Sequence, residues 1–224
     1  MPFLVKSVVG FAVRALLAAA TFLSVAAEAA LTSYSSRASF EAQGTIAENY
    51  GFEDWVTTNG FAFPGTPYTA HGVTYTSQEN LIVGPAAQYA PASNVIISNV
   101  WTPISGTLSG LHDMLGFDLG ILNIDSLIDF SITTNLSSYS FADVLVPNVN
   151  AGMRFFGFIA GGGEAIAQMS FSSHLGQGAA PALDNVTLGN TAPIPEPQTY
   201  ALLLAGLGLL GFAARRRKTG TYPI

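Results

Sequence analysis

Apolar positions along the chain fall into three regimes. Residues 15–27 (ALLAAATFLSVAA) and 199–214 (TYALLLAGLGLLGFAA) are almost continuously apolar, whereas between them apolar residues come in short clusters bounded by Gly, Pro, Asn and Ser. Those clusters have the length and the β-branched or aromatic content of strands. They lie at 72–77 (GVTYTS), 80–83 (NLIV), 94–98 (NVIIS), 127–134 (LIDFSITT), 138–141 (SYSF) and 154–159 (RFFGFI). Asp129, Phe130, Ser131, Ile132 and Thr133 alternate polar and apolar, as a strand with one buried face does. Residues 156–160 and 165–171 flank the glycine-rich 161–164 and predict a hairpin. Helical periodicity is weak between the two apolar ends. The pattern predicts an all-β fold, an antiparallel β-sandwich of jelly-roll type, with Phe117, Phe130, Phe156, Phe158 and Phe171 in its core.

The apolar ends need a different account. At the N-terminus, Lys6 and Arg14 precede or interrupt an apolar core of signal-peptide length, and Ala27-Glu28-Ala29 supplies the small residues of a cleavage site. Residues 1–29 are therefore expected to be a signal peptide removed by signal peptidase. At the other end, Pro195-Glu196-Pro197 precedes the second apolar run, and Arg215, Arg216, Arg217 and Lys218 follow it. The prolines hold the chain extended before a helix begins. Sixteen residues of helix reach about 24 Å, short of a hydrocarbon core of about 30 Å, so flanking groups must extend the span. The basic cluster acts as a stop and keeps its end cytoplasmic. The expected organisation is signal peptide (1–29), extracellular β-sandwich (30–192), sorting tail with a transmembrane helix (193–218) and a short extension (219–224).

This order of Pro-Glu-Pro, apolar helix and arginine cluster resembles the PEP-CTERM sorting signal of Gram-negative bacteria, also labelled an ice-binding protein C-terminal domain. The resemblance implies recognition of Pro195, Glu196 and Pro197 by an exosortase. It also implies a precursor anchored in the inner membrane with its domain in the periplasm, and a mature form on the cell surface or in the extracellular matrix. Regular Thr-x-Thr repeats, which a flat ice-binding face needs, are absent from the middle of the chain. Phe52-Glu53, residues 116–120 (GFDLG), 156–158 (FGF) and 183–189 (LDNVTLG) are similar to the ectodomains of many such proteins. That second likeness implies a carbohydrate-binding-module-like or lectin-like sandwich.

Charge sharpens this picture. Only Arg37 and Arg154 are basic between residues 30 and 193, against twelve acidic residues, a net charge near −10. Such a domain repels nucleic acid and anionic lipid and attracts cations. There is no cysteine, which excludes disulfides, thiol catalysis and thiolate metal sites.

Candidate chemistry is sparse. Glu53 and Asp54 lie near the start of the domain and Asp184 and Asn185 near its end. Because first and last strands of sandwiches often adjoin, these oxygens are candidates for a calcium site. Each of them also reads simply as a solvated turn or cap. A carboxylate pair is what glycoside hydrolysis requires, but nothing singles one out as desolvated, and Asp118 and Glu164 read as turn residues. His71, His112 and His174 are isolated, and no Gly-x-Ser-x-Gly elbow occurs, so the domain is expected not to be an enzyme. Trp55, Trp101, Tyr68 and Tyr89 lie in Pro/Gly/Asn-rich stretches, where exposed rings stack on sugars and packed rings close the end of a sandwich. The expected role is structural or adhesive, within an exopolysaccharide layer. The alternatives are a calcium-dependent lectin-like module and a polysaccharide hydrolase.

Overall fold

The computed structural model describes residues 30–55, 57, 60–85, 93–99, 102–122, 126–174, 180–192 and 202–211. The chain divides into two compact units, Ala27–Ala192 and the two termini. The first unit carries β1 (Leu31–Tyr34), helix α1 (Arg37–Glu41), β2 (Gly44–Tyr50), β3 (Tyr68–Ala70), β4 (Val73–Ser77), β5 (Leu81–Gly84) and β6 (Val95–Ser98). It continues with β7 (Ile104–His112), β8 (Met114–Ile121), β9 (Ser126–Thr134), β10 (Ser138–Val146), a 3-10 turn (Val149–Ala151), β11 (Arg154–Ala160), β12 (Ile166–Ser173) and β13 (Pro181–Thr191).

The strands form two antiparallel sheets, and the fold is the all-β sandwich that the alternation predicts. One sheet runs β1-β11-β8-β13-β6-β5, with β2 also paired to β13; the other runs β10-β9-β12-β7-β4-β3. Phe117 of the first sheet meets Phe130 and Phe171 of the second edge to face, at 6.1 and 4.9 Å between centroids. Phe117, Phe130, Phe158 and Phe171 are buried and Phe156 packs against the same cluster. The five phenylalanines thus form one aromatic seam of the core, where their area and ring geometry both stabilise the interface.

The expected hairpin at 161–164 does not form. β11 pairs with β1 and β8, whereas β12 pairs with β7 and β9, so the Gly-rich segment crosses from one sheet to the other. The period of two holds in both strands whether they are neighbours or face each other across the core, so alternation alone leaves this choice open. Buried Glu164 fixes the crossing by accepting hydrogen bonds from Thr134 and Ser137.

The outer faces of the sheets differ. On the first, buried Phe40 of α1 lies over Gly116 and Gly157, where an added Cβ would come within 2.9 and 2.7 Å of its ring. Val149 of the 3-10 turn covers Ile82, Val95, Ile97 and Ala182 on the same sheet. On the second sheet, no described element packs over the outer face.

In the terminal unit, residues 202–211 are helical and expose their leucines. Among the described residues no helix is long and apolar enough to cross a membrane. The signal peptide, Pro195, Glu196, Pro197, Arg215, Arg216, Arg217 and Lys218 lie outside the described residues, as do the ends of the 199–214 run.

Candidate functional site

The acidic end of the domain is built around a gap in the first sheet. One edge of β13 pairs with β6 through Ala182 and Leu183, then with β2 from Val186 onward. Asp184 and Asn185 fall between these partners, where the pairing with β8 also shifts register and Asn185 takes φ 47°. The opening admits the segment after β2, with Glu53, and the segment before β6, with Ser93 and Asn94. An added Cβ at Gly51 would touch the Oδ1 atoms of both Asn185 and Asp184 at 3.3 Å and the Glu53 Cγ at 4.0 Å. Glu53, Asp184 and Asn185 therefore converge. Asp54 stands apart: its carboxylate is mostly exposed and lies 3.8 Å from His71 Nε2.

Asp118 joins the cluster, although its neighbouring glycines suggest a turn. It lies mid-strand in β8 directly opposite Asp184. Like charges so placed repel. Arg37 answers that repulsion: its guanidinium is 3.1 Å from Asp118, donates to Thr187 Oγ1 at 2.8 Å and to the Asn185 carbonyl at 3.2 Å, and stacks on Phe155. Asp184 is 1% exposed and accepts hydrogen bonds from the Ser93 hydroxyl and the Asn185 backbone N–H. Burial nonetheless pushes its carboxyl up to about 7, with repulsion from Asp118 and Glu53 adding to the effect. A cleft of about 500 Å³ opens beside these groups, lined also by Met153 and Phe155. Glu53, Asp118 and Asp184 offer hard oxygens of the kind calcium takes. Among the described residues, however, only Asp129, Asp143 and His174 bring their ligand atoms within 4.8 Å of one another; the Glu53, Asp118 and Asp184 carboxylates do not. Arg37 supplies part of the positive charge that a cation would bring.

The described aromatic candidates, Trp55 and Tyr68, are half-buried, with one side packed against the core. Trp55 Nε1 donates to Tyr68 Oη at 3.0 Å, Tyr68 Oη lies 2.5 Å from Tyr50 Oη, and Trp55 and Tyr68 both pack against the core. Tyr75, beneath them, has a buried hydroxyl with no hydrogen-bond partner among the described residues. These rings close one end of the sandwich. Trp101 and Tyr89 lie outside the described residues.

The outer face of the second sheet carries an arrangement that linear motifs miss. Cross-strand register aligns Thr69, Thr74, Thr107, Gln168, Thr133 and Ser138 in one row. A second row aligns Thr76, Ser105, Ser170, Ser131 and Ser140. Their inward neighbours, such as Tyr75, Ile104, Met169, Phe130 and Ile132, fill the core. Hydroxyls bridge adjacent strands at Thr69–Thr74 (2.9 Å), Ser105–Ser170 (3.1 Å) and Thr133–Ser138 (3.1 Å). Each strand gives only one or two of these positions, so the array exists only across strands.

At the border of that face, His174 sits between two carboxylates. Its Nδ1 lies 2.9 and 3.0 Å from the Asp129 oxygens and its Nε2 lies 2.9 Å from Asp143. Asp143 stands at the β10 bulge with φ 57°. His71, by contrast, stacks on Tyr50 and contacts Glu48 at 2.9 Å.

The tail is identified by its sequence. Residues 193–218 match the PEP-CTERM protein-sorting motif. The PEP-CTERM tail marks an exported protein sorted to the cell envelope. No curated protein matches the chain. Among solved structures, the CBM22-1 xylan-binding domain of Paenibacillus barcinonensis Xyn10C is similar at 15% identity and a TM-score of 0.37, over 66% of this chain and 97% of that one. A variant of a family 29 carbohydrate-binding module is similar at 10% identity and 0.34, over 61% and 98%. An exo-beta-agarase is similar at 10% identity and 0.38, over 68% of this chain and 26% of that one. Likeness at this level says nothing of what this chain binds.

Proposed function

We propose that the chain is an exported surface or matrix protein, cut by an exosortase at Pro195-Glu196-Pro197, whose β-sandwich serves a structural or adhesive role in the exopolysaccharide layer. The match of residues 193–218 to the sorting motif carries this reading. The precursor is held in the inner membrane through the tail, with the sandwich on the periplasmic side, before release or transfer to the surface.

The domain works without catalysis. Asp184, beside the cleft, is the carboxyl whose pKa best suits a general acid, yet it is 1% exposed and both its oxygens accept protein hydrogen bonds, which counts against proton donation to a glycosidic oxygen. The calcium-dependent lectin-like reading has support on one side only. The convergence of Glu53, Asp184 and Asn185 favours a cation, while Trp55 and Tyr68, half-buried and packed against the core, leave only part of each ring open to a sugar.

Intact-mass spectrometry of protein recovered from the surface of an exosortase-positive host tests the proposal. A species beginning near Ala30 and ending between Pro195 and Pro197 supports it. A species retaining residues 199–218 means that the tail is a plain anchor and removes the basis for the sorting assignment.

A further inference from the structure

The two sheets bear different burdens on their outer sides. The first is roofed by Phe40, Val149 and the Arg37 side chain, and its exposed end is acidic. The second is bare among the described residues, and its two cross-strand rows hold hydroxyls at every position except Gln168. Neither row contains a charged side chain, although the domain carries twelve acidic residues. At roughly 4.8 Å between strands, six strands present about 24 Å of hydroxyls in one direction.

The array is also pre-ordered. Threonine is stiff about χ1, and the bonds Thr69–Thr74, Ser105–Ser170 and Thr133–Ser138 already fix hydroxyl positions across neighbouring strands. A surface ordered before binding loses little side-chain freedom when a partner is laid on it. Hydroxyls both donate and accept, which suits a polymer whose own groups are hydroxyls. Charge decides which polymer. A domain with net charge near −10 repels uronate- or sulfate-bearing chains, whereas two rows without a charged side chain, with the Asp129–His174–Asp143 cluster only at their border, meet a neutral chain without that cost.

We propose that the outer face of the β10-β9-β12-β7-β4-β3 sheet docks an extended neutral polysaccharide laid across the strands, through its two hydroxyl rows. This rests on the exopolysaccharide-layer reading above and names the ligand class and the surface. Each contact replaces one to water and adds little, so retention requires many contacts on one long chain or on an ordered array of chains. Short oligosaccharides bind weakly, and insoluble polymer retains the protein.

The test uses the full chain purified in a neutral detergent, sedimented with microcrystalline cellulose, insoluble xylan, agarose beads and covalently cross-linked, calcium-free alginate beads. Thr107→Glu with Ser170→Glu places two charges at the centre of the rows. Thr32→Glu, exposed on β1 of the other sheet, is the control, and unchanged circular dichroism and melting establish that all three proteins are folded. Retention on at least one neutral polymer, reduced about tenfold or more by the double change and not by Thr32→Glu, supports the proposal. Equal retention of the double variant overturns the face assignment and leaves carbohydrate binding standing. Retention on alginate alone overturns the choice of a neutral ligand. Absence of retention on every polymer overturns this inference and the adhesive reading together, while the mass-spectrometric test of sorting is unaffected. Self-association abolished by the double variant, without polymer retention, assigns the face to a second copy instead.

Discussion

Arg37 and Asp118 form an ion pair at 3.1 Å between the surface helix and the centre of the first sheet. The same guanidinium reaches Thr187 and the Asn185 carbonyl, and it covers Phe155 at 4.5 Å from the ring centroid. One of the two arginines of the domain is thus committed to an acidic cluster that would otherwise repel itself. Arg37→Met keeps much of the stem packing and removes the charge and both hydrogen bonds. The expected loss, for a group about a quarter exposed, is about 1–3 kcal/mol in urea denaturation. Arg37→Lys recovers less than half of it, because an ammonium lacks the planar fork. An unchanged denaturation midpoint in the methionine variant would refute the assigned role.

Asp184 supplies a pH dependence. Its folded pKa is raised, to about 7, above the usual carboxylate value. The folded state therefore holds a proton that the unfolded chain has already released between pH 4 and 7. This contribution is fully present below about pH 4 and is lost as pH rises through 7, by up to about 4 kcal/mol. With chelator present, the domain is expected to be more stable at pH 5 than at pH 8, and Asp184→Asn to flatten that difference. If the Glu53, Asp118 and Asp184 oxygens take calcium, added calcium restores stability at pH 8 in the natural protein and not in the variant. Thermal melts across this pH range, with and without calcium, separate these outcomes.

Much of this was legible in the chain, for identifiable reasons. The alternation from Asp129 to Thr133 specifies which side of β9 is buried, and the structure keeps that assignment. Glu53 and Asp184 do come together, but not because first and last strands adjoin: β1 pairs with β11, away from β13, and it is the turn after β2, which pairs with β13, that carries Glu53. Asp118 was not legible as their neighbour, since its flanking glycines look like a turn; here Gly116 admits Phe40 and Gly120 lies against Val149. Asp54 follows Glu53 in sequence but points to His71, a choice set by the turn after β2. Trp55 and Tyr68 lie in loop-like composition, which does not reveal that the segment folds back onto the core. The hydroxyl rows escaped notice because their order runs across strands, and register is a property of the fold rather than of any one segment.

His174 links three elements in one network. Asp129 belongs to β9, Asp143 to the β10 bulge, and His174 follows β12. The hydrogen bond that the His174 Nδ1–H donates to Asp129 raises the His174 pKa, assisted by the charges of Asp129 and Asp143 and opposed by desolvation. The Asp143 backbone N–H lowers the Asp129 pKa, with His174 contributing next. The imidazolium form is thus favoured to a pH above the ordinary histidine range. Its stabilising effect is present below pH 6.5 and fades as pH rises through the raised value. The Asp129 contribution is present above about pH 4 and fades as pH falls through its lowered value. NMR titration of the His174 ring is expected to give a midpoint above 6.5. Asp143→Asn and Asp129→Asn should each lower that midpoint, Asp129→Asn by more. A midpoint insensitive to both changes would mean that the imidazole does not bridge them in solution.

Gly157 tests whether helix α1 is seated as described. A Cβ there would lie 2.7 Å from the Phe40 ring, and the neighbouring contacts with Phe155 at 3.0 Å leave no direction of escape. Phe40 is fully buried, and its ring also meets Tyr34 and Phe155, so it cannot turn aside without opening the roof of the first sheet. Gly157→Ala is therefore expected to destabilise the domain by about 1–3 kcal/mol despite alanine's better fit to a strand. Phe40→Leu alone is expected to cost a similar amount through lost contacts. The discriminating quantity is the coupling in the double-mutant cycle. If the ring and the missing Cβ compete for one space, the smaller side chain accommodates the alanine and the double variant is more stable than the sum of single effects predicts by at least about 0.5–1 kcal/mol. Simple additivity would place Phe40 elsewhere, and with it the helix that positions Arg37 over the acidic cluster.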